Sequence, residues 1–223
     1  MQEIRTYGEL RNILDQRGKM VLFGCGGHAR SIIGAIREIC SETELILVDP
    51  NVKTDEIILG CNTEREYGLN GNDGYIVAVG CNDKRGKLYG LLKEAGSGQP
   101  ISVVSQYAHI GMEAEIGRGT FVSANAYVAP QAKVGYNSII NTGSVVEHEV
   151  KIGNHTHIAP HTTVCGRAEI GNHVFCGAGS IVIDKIRICD HVIIGAGAVV
   201  KEDITEPGTY VGVPARKIKE ING

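Results

Sequence analysis

The chain of 223 residues contains no tryptophan, and its aromatic content is only 5%, with three phenylalanines. A thick globular core normally fills its centre with large rings, so this composition excludes one and suits a thin, layered interior. No apolar run approaches the ~18 residues that a membrane-spanning helix needs. The opening Met-Gln-Glu-Ile-Arg-Thr-Tyr-Gly-Glu-Leu-Arg-Asn has no apolar centre of the signal-peptide kind. A cytoplasmic location without membrane insertion is therefore expected. Basic excess is also missing: the net charge is -3, which leaves no footprint for nucleic acid and no polybasic membrane patch. Cysteines stand at 25, 40, 61, 81, 165, 176 and 189, with no Cys-x-x-Cys pair. They read as reduced thiols rather than a disulfide framework or metal knuckle, and no metal is expected.

What the chain does have is a repeat. From Ile110 to Val200 every sixth residue is aliphatic, with one cysteine at 176. Four places after each stands a small or β-branched residue such as Ala114, Thr120, Ser138 or Val174. Neither a helical period nor simple alternation gives six; a hexapeptide-repeat parallel β-helix does. Three hexads close one coil of 18 residues, and the open flanks of so thin a prism favour self-association.

Residues before the repeat follow another pattern. Met20–Gly24 reads as a buried strand, Gly24-Cys25-Gly26-Gly27-His28-Ala29 as a tight turn, and Arg30–Cys40 as an amphipathic helix. A second strand, Leu45–Val48, ends in Asp49 at the spacing where Rossmann-like folds meet a ribose hydroxyl. Tyr75–Gly80 reads as a third strand and Lys84–Ala95 as a helix. Asn82 and Arg85 follow that third strand, where α/β sheets bind ligands, although Arg85 also fits an ordinary solvated helix position. A glycine turn can serve packing alone. The space before the first hexads is too short for both halves of a dinucleotide fold, so a mononucleotide moiety is the expected ligand, its phosphate at the amides after Gly26 and Gly27.

The coil length sorts the histidines. His155, His173 and His191 are spaced by 18 and stack in one column, which repeated turn chemistry or a metal site would explain. His148 lies in Val146-Glu147-His148-Glu149-Val150, between carboxylates that can fix its tautomer and make it a general base; a solvated charged corner is the alternative. Gly166, 18 residues on, stands above His148 and offers an amide to an oxyanion. His157, half a coil away, points elsewhere, so the two meet only between subunits. Ala178 and Ala196 lie near the His157 corner and leave backbone free for an extended ligand.

The glycine turn at 24–29, together with Asn-Thr-Gly-Ser-Val-Val-Glu-His-Glu-Val at 141–150 and its continuation to Gly166, resembles the sialic acid O-acetyltransferase (NeuD-like) family of hexapeptide-repeat acyltransferases. Within it the chain is similar to the N-acetyltransferases of nucleotide-linked 4-amino-sugars of the bacillosamine pathway. The resemblance spans roughly residues 20–220. It implies a left-handed parallel β-helix, a homotrimer with acetyl-CoA in the clefts between subunits, and a nucleotide-sugar acceptor used in bacterial surface-glycan or glycoprotein biosynthesis.

It also implies roles. His148 matches the catalytic base and Glu149 its supporting carboxylate. His157, Gly166, Ala178 and Ala196 match positions beside acetyl-CoA, while Asn141 matches a polar residue of the acceptor pocket. Gly24, Gly26, Gly27, His28, Asp49, Asn82 and Arg85 fall where the family holds the nucleotide. Cys25 and Cys81 depart from the family pattern without removing a backbone amide. The expected organisation is an α/β Rossmann-like domain at 1–100, the β-helix at 101–204, and a C-terminal strand and tail at 205–223. Sugar O-acetylation, a carbonic-anhydrase-like solenoid metalloenzyme and a non-catalytic nucleotide-sugar binder are the competing readings.

Overall fold

The computed structural model describes residues 7–17, 19–53 and 55–219. Its first part contains α1 (Tyr7–Arg17), β1 (Lys19–Phe23), α2 (Gly27–Ile39), β2 (Glu44–Val48), β3 (Ile57–Ile58), β4 (Cys61–Glu64), β5 (Gly74–Val77), α3 (Asn82–Glu94) and β6 (Gln99–Pro100). These strands form one sheet in the order β3-β4-β2-β1-β5-β6. Every pairing is parallel except β3 with β4. The chain leaves β1 toward β2 and returns to β5 on the other side, so the topological switch falls at the carboxyl ends of β1 and β5, the place where such sheets form a ligand crevice.

Local chemistry explains these elements. Ala29, Ile32, Ile33 and Ile36 recur at helical spacing and are buried against the sheet. Val21, Leu22 and Leu47 are fully buried in continuous strand runs, as a sheet covered on both faces requires. β3, β4 and β6 were not legible in the sequence. Cys61-Asn62-Thr63-Glu64 carries no aliphatic alternation, and β6 contains Pro100, which only an edge strand accommodates.

From Val103 the chain winds into a parallel solenoid with three faces, mostly of two-residue strands, whose sheets contain eight, six and five strands. Each paired residue lies 18 positions from its partner, as in Phe121 with Ile139 and His157 with Phe175. The repeat aliphatics from Ile116 to Val200 are buried, and only Ile110 is partly exposed.

Small hydroxyl residues in the hexad stitch successive coils together. Thr120 Oγ1 donates to Gly135 O (2.9 Å) and accepts from Ser138 N (3.0 Å). Ser138 Oγ and Thr156 Oγ1 repeat the arrangement one and two coils on. These three buried hydroxyls thus have both partners they need. Beyond the last coil, Gly208–Val211 pairs with Val192–Ile194, and Arg216–Lys219 returns antiparallel to it. The terminal segment is therefore a hairpin on the solenoid wall rather than a lone strand.

The two parts share a packed junction. α1 and α2 lie against the strand Val103–Val104. Leu10 and Leu14 of α1 are buried, which gives that helix a structural place. α3 rests on the corner of the solenoid, where Tyr89 stacks on Tyr136 with ring centroids 5.5 Å apart. Gly86 permits this seat, since a Cβ there would approach the His173 ring to 2.7 Å.

Candidate active site

A crevice of about 600 Å³ opens at the switch point, lined by Gly24 to His28, Val48 to Asn51, Ala78 to Gly80, Lys84 and Leu88. Gly24 has φ +118°, and any side chain on it would meet the Ala78 carbonyl at 2.8 Å, so only glycine lets the chain turn this tightly after β1. α2 then begins at Gly27, with Gly26 as its N-cap, no side-chain cap and no acids in its first turn. Its free amides and dipole face the crevice, a setting suited to a phosphate. Asp49 Oδ2 accepts from the Cys25 amide (3.3 Å), and Oδ1 accepts from the Asn51 amide (3.0 Å) and side chain (3.1 Å). Burial and the neighbouring Asp49 push the Cys25 thiol up to about 11, which keeps it protonated.

Of the sequence candidates for the nucleotide, Gly24, Gly26, Gly27, His28 and Asp49 line this crevice; Asn82 and Arg85 do not. Arg85 needs correction. Neither a solvated helix residue nor a ligand donor, it is 1% exposed and has all its N–H groups committed. Nε donates to Asn137 O (2.8 Å), one terminal nitrogen to Val79 O and Gly80 O (both 3.1 Å), and the other to Asn82 Oδ1 and His155 O (both 2.7 Å). Asn82 is held in the same clamp, its Nδ2 donating to Val174 O (2.9 Å). These residues fasten the third βα turn to the solenoid. The residue missed was Lys84, the only Lys or Arg among the described residues that line the crevice. Its i,i+4 spacing to Leu88 on α3 was the available signal.

His28 connects the crevice to the solenoid. Its ring meets Phe121 edge-on at 5.4 Å and lies 6.5 Å from His157. His157 in turn meets the Asn141 side chain through Nε2 (3.1 Å) and packs on Phe175 at 5.1 Å. Burial, then mutual repulsion and the Arg85 charge, lower His28 to about 3; burial and Arg85 lower His157 to about 4. Both imidazoles are neutral near pH 7. Ala178 and Ala196 are exposed at the next corner, stacked through the bond from Gly197 N to Ala178 O (2.9 Å).

His148 occupies a different corner, after the strand Val145–Val146. Its Nδ1 lies 3.1 Å from Glu149 Oε2, and both side chains are about half exposed (49% and 51%). A Cβ on Gly166 would come within 2.7 Å of the His148 ring, so the backbone under that ring is bare. Asp184 completes this stack one coil further and was overlooked, although the interval of 18 marks it. Arg167 grips it (3.0 Å), and this bond is the main cause of its lowered pKa. The structure therefore gathers His148, Glu149 and Gly166 at one corner, and His28, Asn141 and His157 at the junction. One solenoid face separates the two groups within the chain.

Comparison with known proteins bears on this arrangement. Residues 19–92 match the PglD N-terminal domain. Comparison with curated protein sequences gives no match. Among solved structures, PerB from Caulobacter crescentus in complex with CoA and GDP-perosamine superposes with TM-score 0.78 and 30% identity, over 90% of this chain and 97% of that one. The chain belongs to the PglD-type family of hexapeptide-repeat acetyltransferases.

The acetyltransferase domain of PglB from Neisseria gonorrhoeae in complex with acetyl coenzyme A agrees, with TM-score 0.83, 25% identity and coverage of 90% and 98%. WeeI from Acinetobacter baumannii shares the fold at 23% identity and TM-score 0.80, over 89% and 99%. The family resemblance, the fold and acetyl-CoA as co-substrate accord with the sequence reading. No helix among the described residues is long and apolar enough to cross a membrane.

Proposed function

We propose that this acetyltransferase moves the acetyl group of acetyl-CoA to the 4-amino group of a nucleotide-linked 4-amino-4,6-dideoxy sugar, serving surface-glycan or glycoprotein assembly. The carrying observation is the His148–Glu149 contact at 3.1 Å. With Nδ1–H donating to Glu149, Nε2 keeps its lone pair free to accept a proton. The acceptor nitrogen attacks the thioester carbonyl while His148 Nε2 takes its proton. A C–N bond forms, and the oxyanion is met by the Gly166 amide. Collapse breaks the C–S bond and expels the CoA thiolate, which recovers the proton from His148. Glu149 stabilises the transient imidazolium. No covalent acyl-enzyme is needed.

The crevice at the switch point suits the nucleotide. Its helix terminus and Lys84 would meet the diphosphate, and His28 and Asn141 would direct the sugar toward the solenoid. His157, Ala178 and Ala196 would line acetyl-CoA. Their separation from His148 within one chain favours a homotrimer in which two protomers complete each site, and the exposed Tyr107 and Met112 suit such an assembly. The test is release of CoA thiol with UDP-, dTDP-, GDP- and CMP-linked sugars, with and without a 4-amino group. Turnover only with a 4-amino sugar supports the reading; turnover with a hydroxyl acceptor alone overturns it.

A further inference from the structure

Asp83, His173 and His191 form a cluster apart from both groups of residues just described. One ligand atom from each lies within 4.8 Å of the others, the one such group among the described residues. They line a cavity of about 240 Å³ together with Cys81, Asn82, Phe175 and Ile193. The His173 and His191 rings stack 4.8 Å apart. His155, the third member of the column, is already engaged, its Nδ1 meeting Asn137 Nδ2 at 2.7 Å. His173 instead faces the exposed Asp83 carboxylate, its Nδ1 3.2 Å from Oδ1, and among the described residues no group of the solenoid bonds that nitrogen.

Turn chemistry does not account for the pair. His173 and His191 adopt positive φ (56° and 57°), but equivalent turns of the same solenoid use Glu113, Gln131, Arg167 and Lys185. The corner selects a conformation and not an imidazole. Two imidazoles and one carboxylate make a donor set that zinc accepts in tetrahedral geometry, with ligand atoms roughly 3.4 Å apart. Asp83 and His191 are exposed and can rotate to close the remaining gap.

We propose that Asp83, His173 and His191 bind one zinc-class divalent ion, which ties the start of α3 to the solenoid corner. The site is independent of the acetyl-transfer reading, since none of the three was assigned to it. Untagged full-length protein, stripped by chelator, would be titrated with Zn²⁺ by calorimetry and followed by thermal melting. One ion per chain is expected, with Tm raised by roughly 5–10 °C at a hundredfold excess over Kd. His191→Ala and Asp83→Asn, both at exposed positions, should each weaken binding at least tenfold while acetyl-CoA binding persists as the check on folding. Absence of binding at micromolar zinc, or unchanged affinity in the double variant, would overturn the proposal.

Discussion

The two parts of the molecule acquire their reactive groups by opposite routes. In the first part they come from the ends of strands, where β1 and β5 diverge and a glycine turn exposes the amides of α2. In the solenoid they come from corners, where residues such as Glu149 and Arg167 hold positive φ while the hexad interior stays aliphatic. The first route yields an open crevice at one switch point; the second offers the same few positions again in every coil. The nucleotide therefore has one switch point to occupy, whereas groups from successive coils can be stacked, as His148, Gly166 and Asp184 are.

That contrast is most exposed at the His148 corner. His148→Ala should lower kcat by about 10²–10⁴-fold and leave acetyl-CoA binding nearly unchanged, because the base acts in the transition state. Steady-state rates with calorimetric binding check this, and near wild-type turnover would refute the assignment. A smaller effect is expected from Gly166→Ala. Its Cβ would collide with the His148 ring at 2.7 Å, and displacement of that order costs roughly 10²-fold in kcat. Unaltered kcat with a retained fold would mean that Nε2 does not act there.

Lys84→Ala tests the crevice. Loss of its only lining cation should raise KM for the nucleotide sugar about tenfold, the scale of one charge-assisted contact, with kcat little changed. A fall in kcat instead would break the division of labour between the two parts. The smallest effect concerns acid. His28 and His157 have folded pKa values of about 3 and about 4, below the unfolded value of ~6.5. Protonation therefore favours unfolding, so stability is complete above pH ~6.5 and declines as pH falls toward 4. Melting curves across that range should show Tm dropping, with a shallower slope in His28→Phe.

Legibility followed periodicity. The interval of six gave the solenoid, its interior and its 18-residue coil, because one face of every hexad must be buried and the pairing register repeats. It also placed Gly166 above His148, one coil on. The glycine turn and Asp49 were readable through a known βα spacing. The junction was not. Arg85 looks like a surface cation until the Asn137 and His155 carbonyls, 52 and 70 residues away, surround it, and no local pattern encodes such a meeting. Lys84 was obscured for a similar reason, since which side of α3 faces the crevice depends on how Gly86 and Tyr89 dock. The histidine column was legible as a column, but the approach of Asp83 to His173 was not.

The Arg85 clamp has a consequence for how the protein meets its anionic ligand. Among the described residues no carboxylate hydrogen-bonds the guanidinium, although Asp83 lies near enough to act on its charge; it is held by carbonyls and one amide oxygen, two of the carbonyls from Val79 and Gly80 in the crevice lining. Dissolved ions screen exposed charges over a Debye length of about 8 Å at physiological ionic strength, but they reach buried ones far less. The field of Arg85 should thus persist in concentrated salt that silences Lys84, leaving beside the crevice a positive charge that the medium screens only weakly.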